Sequence, residues 1–379
     1  MLTEAARSTE GRRARMASII ADNDLRAAVA SSYQAVSYFG GTHILTQVAV
    51  PDRLEFCVMF DDGDATLVIC SLETSMVRTQ TDIPDIYEYT EFADVPAGAL
   101  VSLLRDRGVT SGRVGIEARR LHADAYQHIR GALPDVELVP IDDAVEAAQM
   151  VKSEDEIEML RYGAQSTLDA VLAAAATTKI GDSELDMCGD IASRLMKSGG
   201  LLSFMVFGAG ERALGAHAEA VDKPLVEGDV WRIDLGARFF NVINSDLART
   251  GVVGEPSARQ EETLHALRAT QDAGFNAIEP GRPASDIFTA VKDEFAKQGL
   301  PFFMPHIGHG LGIGLHEFPM LEPKNATPLE VGMVLNIEPM VRVDEHGECY
   351  HSEDLAVVTE DGHRLLTKPQ TDLLRIGAS

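Results

Sequence analysis

The second half of the sequence contains an internal duplication, which restricts the possible folds more than any other feature. Residues 181–199 (GDSELDMCGDIASRLMKSG) match residues 281–299 (GRPASDIFTAVKDEFAKQG), so one apolar helical face occurs twice. Further along, residues 225–234 (LVEGDVWRID) match residues 329–338 (LEVGMVLNIE). Each copy predicts two helices followed by a pair of strands. We therefore expect an α/β domain made of two related halves.

Four acids occupy matching positions in the two copies. Asp234 and Glu338 end the apolar strand of each copy, and Asp246 and Glu353 follow in the motifs SDL and SEDL. A carboxylate beside such a strand is costly to bury unless it is paired or bound to a cation. Four such groups brought together would raise one another's pKa, and a pair of divalent cations would remove that cost. With one imidazole added, the set suits two ions about 3.5–4 Å apart. The alternative at any single position is a solvated acid at a strand end.

A second unusual stretch, residues 303–319 (FMPHIGHGLGIGLHEFP), carries three histidines and four glycines. An interior glycine costs a helix about 1 kcal/mol relative to alanine, so this density predicts irregular backbone that passes close to a bound group. A neutral imidazole binds a metal or transfers a proton near pH 7. The alternative is a flexible surface loop with incidental histidines.

The composition limits the classes of partner that the protein is expected to bind. The formal net charge of −26 argues against a nucleic-acid interface, which needs a basic face, and against binding to anionic lipid. The four cysteines are scattered without CxxC spacing and indicate thiols in a reducing compartment rather than a disulfide framework. Neither a signal peptide nor an apolar run of about 20 residues is visible. We expect a cytoplasmic protein with no nucleic-acid and no membrane partner.

The length of 379 residues and a change of composition near Met150 predict two domains, residues 1–150 and residues 151–379. In the first, apolar strands at residues 55–60 and 65–71 flank the turn sequence DDGD. The second begins with a Ser-capped acidic helix from Ser153 to about residue 175. No metal-ligand cluster or phosphate loop is visible in the first domain.

The second half closely resembles the pita-bread metallopeptidases, a family that includes methionine aminopeptidase, aminopeptidase P, prolidase and the metal-free creatinase. The resemblance covers about residues 150–360. It rests on the motifs IDLGA (233–237), SDLART (245–250), GHGLG (308–312), HEFP (316–319), NIEPM (336–340) and ED (353–354). It implies an α/β (α+β) fold, with an N-terminal creatinase-like domain and a C-terminal pita-bread domain. The large first half points to the prolidase and aminopeptidase P branch, because methionine aminopeptidases lack it.

The resemblance also implies roles for individual residues. The implied metal ligands, with Asp246 and Glu353 bridging, are Asp234, Asp246, His309, Glu338 and Glu353. Glu338 would also carry the proton, and His316 and His217 would act on the substrate side. For His217 a core histidine is the alternative. The implied cofactors are two divalent ions of the Mn, Co or Zn class, and relatives in this branch suggest a homodimer.

Three departures from the family pattern lie beside the implied pocket. Asp234 and Asp246 are one residue farther apart than usual, which predicts a bulge in their hairpin. Ala248 replaces a threonine, and His351 replaces an arginine that often lies two residues before the last glutamate ligand.

The function predicted from the resemblance is dinuclear-metal hydrolysis of a peptide or amide C–N bond, by an Xaa-Pro dipeptidase or aminopeptidase. One alternative is a C–N hydrolase or lyase that acts on a small metabolite. The other is a binding protein without catalysis.

Overall fold

The computed structural model describes residues 9–50 and 52–377. The chain divides into two compact units, Met1–Gln149 and Met150–Ser379. Within the described ranges, none of the helices has the length and apolar character that a bilayer crossing requires. All four cysteines are buried and unpaired.

The first unit is built on a mixed six-stranded sheet. Its strands are β1 (Ala27–Ala30), β2 (Phe56–Phe60), β3 (Ala65–Cys70), β4 (Asp85–Tyr89), β5 (Gly112–Ile116) and β6 (Val136–Pro140). Its helices are α1 (Glu10–Asp22), α2 (Tyr33–Gly40), α3 (Leu45–Ala49), α4 (Thr74–Gln80), α5 (Pro96–Asp106), α6 (Ala123–Ala132) and α7 (Asp142–Met150), which runs to the boundary. The strand order is β4-β3-β2-β1-β5-β6, and β2 and β3 form the hairpin that the DDGD turn predicted.

The carboxyl group of Glu55 is buried in this unit. One oxygen accepts a hydrogen bond of 3.0 Å from the Cys70 amide, whereas Oε1 has no hydrogen-bond partner within the described ranges. Loss of solvation raises the pKa of Glu55 to about 9. The folded protein therefore holds this group protonated at neutral pH, while the unfolded chain ionises it.

We expect Glu55→Gln to stabilise the protein more at pH 8 than at pH 5. A raised pKa in the folded state gives stability below the unfolded pKa of about 4.3 that is lost as the pH rises toward 9, at about 1.4 kcal/mol per unit. The amide retains an acceptor for Cys70 and does not ionise. Thermal unfolding at both pH values measures the difference, with Glu88→Gln, at an exposed position, as the control. An equal effect of Glu55→Gln at both pH values would contradict the assignment.

The second unit contains the duplication. Its strands are β7 (Leu201–Ala209), β8 (Val230–Phe239), β9 (Ile243–Asn244), β10 (Leu247–Val253), β11 (Gly308–Gly310), β12 (Glu317–Met320), β13 (Val334–Ile337), β14 (Met340–Val343), β15 (Glu348–His351), β16 (Asp354–Thr359), β17 (Gly362–Leu365) and β18 (Leu374–Ile376). Its helices are α8 (Glu154–Thr177), α9 (Glu184–Lys197), α10 (Ala258–Asn276) and α11 (Ala284–Gln298). One sheet has the order β18-β10-β8-β7, the other β12-β11-β13-β16-β17, and β14 pairs with β15.

The duplicated elements occupy equivalent positions, as predicted. The repeated helical face is buried in both copies, through Met187, Ile191 and Leu195 in α9 and Ile287, Val291 and Phe295 in α11. Helix α8 begins at the predicted Ser153 cap, whose hydroxyl accepts from the Glu156 amide while the Glu156 carboxylate accepts from the Ser153 amide. The two α/β halves are thereby confirmed.

The predicted bulge between Asp234 and Asp246 is wrong. Strands β8 and β10 pair without a register shift, and β9 continues the same register from Asn244. The additional residue is accommodated at the tip of the hairpin, where Phe240 and Asn241 both have positive φ, 53° and 65°. The irregularity in this sheet lies instead between β7 and β8.

Candidate metal centre

Each half of the second unit contributes two acids from neighbouring strands. Asp234 lies within β8, and Asp246 directly precedes β10, its antiparallel partner. Glu338 directly follows β13, and Glu353 directly precedes β16, which is again the antiparallel partner. The prediction that Asp234 ends its strand is wrong, because β8 continues to Phe239, whereas Glu338 does follow the end of β13. The matching acids still lie on matching strands of the repeat.

The imidazole of His309 is placed by a short, tightly packed strand. Gly308 and Gly310 flank it in β11, and Gly308 has a φ of 151°. A Cβ at Gly308 would lie 2.0 Å from the Asn336 carbonyl oxygen, so only glycine fits there. His309 Nδ1 lies 2.9 Å from the Gly310 carbonyl, which only accepts. Nδ1 therefore carries the proton, and Nε2 is free to act as a ligand.

The structure brings all five predicted ligands together. His309 Nε2 lies 3.5 Å from Glu338 Oε1 and 3.8 Å from Asp246 Oδ2. Ligand atoms of three groups lie within 4.8 Å of one another: Asp234, Asp246 and Glu353; His309, Glu338 and Glu353; and Asp246, His309 and His316. Asp246, His309 and Glu353 each belong to two groups, so the five predicted ligands form one continuous cluster.

The pKa shifts in the cluster and its oxygen atoms without hydrogen-bond partners are compatible with bound cations. Burial raises the pKa of Asp234 to about 6, and burial together with the neighbouring acids raises the pKa of Asp246 and of Glu353 well above the usual range. Burial also raises the pKa of Glu338 and lowers that of His309 to about 3, which keeps this imidazole neutral. Asp246 Oδ1 and both oxygens of Glu353 are buried without a hydrogen-bond partner in the described part of the chain. Divalent cations would satisfy these atoms and relieve the repulsion.

Of the two histidines predicted to act on the substrate side, His316 lies beside the cluster. The His316 ring packs on the His309 ring, with centroids 4.0 Å apart and planes at 31°. Burial lowers the pKa of His316, against the opposing effect of the Glu338 carboxylate. His217 is exposed, so the alternative of a core histidine does not hold.

Sequence reasoning left two contributors unassigned. His306 belongs to the same histidine-rich stretch, and its Nδ1 lies 3.5 Å from Glu338 Oε1. Arg232 lies two residues before Asp234, on the same face of β8. Its buried guanidinium donates to the carbonyls of Ala213 (2.9 Å) and Ala216 (2.7 Å) and thereby holds the segment that carries His217. The histidine spacing could have indicated His306, but only the fold shows the contacts of Arg232.

The positions that depart from the family pattern border the site. Ala248 is buried opposite Asp234, and its carbonyl accepts from the Glu353 amide. His351 is buried with Nε2 3.7 Å from Glu338 Oε2, and burial lowers its pKa to about 4. His351 is therefore a neutral group in contact with a predicted ligand.

The comparisons with known proteins agree with this geometry. Residues 158–360 match the model of metallopeptidase family M24, and residues 12–151 match the creatinase/prolidase N-terminal domain. The chain belongs to metallopeptidase family M24. This M24 protein is 30% identical over 326 residues to the uncharacterized peptidase YqhT of Bacillus subtilis, covering 82% of this chain and 90% of that protein. It is 28% identical over 321 residues to an Xaa-Pro dipeptidase of Pyrococcus furiosus, covering 84% and 88%.

A solved structure shows the same fold. The X-Pro aminopeptidase of Thermotoga maritima superposes with a TM-score of 0.85 at 22% identity, covering 96% of this chain and 99% of that one. The predicted fold, an N-terminal creatinase-like domain followed by a pita-bread domain, is thereby confirmed. Family membership supports a metal-dependent peptidase over both the metabolite hydrolase or lyase and the binding protein.

Proposed function

We propose that this M24 metallopeptidase hydrolyses Xaa-Pro bonds in dipeptides or short peptides. Two divalent ions of the Mn, Co or Zn class would be held by Asp234, Asp246, His309, Glu338 and Glu353. The observation that supports this most is that the ligand atoms of these five side chains form one continuous cluster. The named relatives, among them a Pyrococcus Xaa-Pro dipeptidase, support the substrate class.

The chain's own groups suit amide hydrolysis. When bound, the ions would supply Lewis acidity and lower the pKa of a water molecule. Glu338 lies at the solvent-facing side of the cluster, with its side chain 17% exposed, so it can accept a proton from the attacking water and return it to the leaving nitrogen. His316 and His217 would donate hydrogen bonds to the oxygen that gains charge.

The substrate class is tested by comparing Ala-Pro, Met-Pro, longer Xaa-Pro peptides and dipeptides without proline, on enzyme loaded with Mn²⁺, Co²⁺ or Zn²⁺. We expect cleavage of Xaa-Pro bonds with a narrow range of accepted substrates. Neutral His351 makes fewer contacts than an arginine at this position would, so a charged substrate group is held less firmly. Absence of cleavage of every peptide by the fully metallated protein would refute the proposed substrate and favour a different amide.

His309 and His316 are proposed to have different roles, metal binding and oxyanion stabilisation, which gives a separate prediction. His309→Ala should lower the bound metal, because Nε2 lies among the carboxylates. His316→Ala should retain the metal and lower kcat/KM by about 10²–10³-fold, the effect of losing one oxyanion donor. Elemental analysis and steady-state kinetics of both variants measure this, with His128→Ala, at an exposed position of α6, as the control. Equal loss of metal in the His309 and His316 variants would contradict these separate roles.

The homodimer and the cytoplasmic location remain part of this proposal. Sedimentation equilibrium of the purified protein tests the first, and fractionation of the source cells tests the second.

A further inference from the structure

We propose that Lys152 and Glu317 form a buried ion pair that holds His316 in position, which makes both of them positioning residues. This inference rests on the proposed catalytic role of His316. Lys152 Nζ lies 2.8 Å from Glu317 Oε2, and the two side chains are only 4% and 6% exposed. They are separated by 165 positions in the sequence, yet Glu317 directly follows His316.

The loop before Glu317 is wrapped around its carboxylate. Glu317 Oε1 accepts a hydrogen bond of 2.8 Å from the Gly314 amide, so both oxygens have partners. A Cβ at Gly312 would lie 2.5 Å from Oε2, which shows how closely the backbone approaches the charged group. The carboxylate therefore sets the path of residues 312–316.

Lys152 is also held in place by hydrogen bonds other than the ion pair. Its Nζ also donates to the Met150 carbonyl at 3.2 Å, and its backbone amide donates to the Gly332 carbonyl at 3.0 Å. The neighbouring Val151 forms an isolated bridge with Met333, just before β13. The ammonium group is thus anchored to the turn that leads into the strand preceding Glu338.

The His316 ring depends on this support. In residues 9–50 and 52–377 no hydrogen bond to the imidazole occurs. The ring is held by its packing on His309 and its edge contact with His306, so its position follows the backbone next to Glu317. The Asn244 amide holds the far end of the loop through the Gly312 carbonyl at 2.8 Å. Removing the ammonium leaves a buried carboxylate with one hydrogen-bond donor, a state that drives local rearrangement.

The expected result for Lys152→Met is a kcat about 10–100-fold lower, since a displacement of about 1 Å in a catalytic group costs up to 10²-fold. KM and metal content should stay at the wild-type level, and Lys152→Arg should restore part of the rate by returning the positive charge. In a His316→Ala background, Lys152→Met should have little further effect, because the two changes act through one side chain. Lys297→Met, which removes an exposed lysine of α11, is the matched control. Glu317→Gln tests the other partner with a near-isosteric side chain, in case Lys152→Met does not fold.

A spectroscopic measurement separates this inference from the proposed function. In protein labelled with ¹³Cε1-histidine, the His316 resonance is identified by its absence in His316→Ala. It should shift in Lys152→Met, while that of exposed His265 should not. If His316→Ala retains full activity, the proposed role of His316 is wrong, and the resonance alone then decides whether the pair holds the ring. An unshifted His316 resonance, a wild-type kcat in Lys152→Met, or an equal rate loss in the His316→Ala background would overturn the inference.

Discussion

Asp246→Ala is expected to abolish activity and to release most of the bound metal. Asp246 is proposed to bridge the two ions, so its loss would weaken both proposed cation sites at once. Hydrolysis should fall by at least ~10³-fold, because the chain would lose the means to lower the pKa of the attacking water from about 15.7 to near 7. Chelation of the wild-type enzyme should have the same effect, and added Mn²⁺ or Co²⁺ should reverse it.

Metal content and thermal stability distinguish this loss from unfolding. The metal-free wild-type protein and the metal-free variant should melt at similar temperatures, because removing one of four crowded acids also removes repulsion. Only the wild-type protein should gain stability on metal addition, since a ligand stabilises the state that binds it. Asp293→Ala, on the exposed face of α11, serves as the matched control. Full activity in a wild-type preparation shown to be free of metal would contradict the whole assignment.

The repeat explains why so much of the fold could be predicted from the sequence. Met187 and Ile287 occupy the same place on two copies of one helical face, and both are fully buried. Within each half the two acids lie close together, because they are carried by neighbouring antiparallel strands. Local pattern and internal symmetry were sufficient for the halves and for the neighbourhood of the ligands.

Other features depended on information that local patterns do not carry. At the tip of the β8–β10 hairpin, Phe240 has a φ of 53°. Bulky residues rarely adopt positive φ, so the sequence gives no sign of this conformation. In the sequence, Lys152 is an ordinary charged residue before a helix. Its contact with Glu317 is visible only in the tertiary structure. Arg232 interrupts an apolar strand without a nearby partner in the sequence, although its partners are carbonyl groups of the segment that carries His217. Buried polar contacts between distant segments therefore hold the residues around the candidate metal ligands, and the sequence alone does not reveal these contacts.

Glu338→Gln should lower kcat by about 10²–10⁴-fold, the contribution of a positioned proton carrier, and should lower metal content less than Asp246→Ala does. Glutamine retains an oxygen that can face the cluster but has no basic carboxylate. In the structure Glu338 contacts three imidazoles, those of His306, His309 and His351, at 3.5–3.7 Å, so the isosteric amide keeps the packing.

The decisive measurement for Glu338 is the rate per bound metal ion. Normalising kcat to the metal content of each variant removes the part of the loss caused by weaker binding, and the remaining decrease reports proton transfer. The residual activity of Glu338→Gln should also lack the part of the wild-type pH profile that arises from ionisation of this carboxylate. Glu330→Gln, at an exposed position ahead of β13, should behave as wild type. A normalised rate equal to that of the wild-type enzyme would assign Glu338 to metal binding alone and move proton transfer to a neighbouring histidine such as His306 or His316.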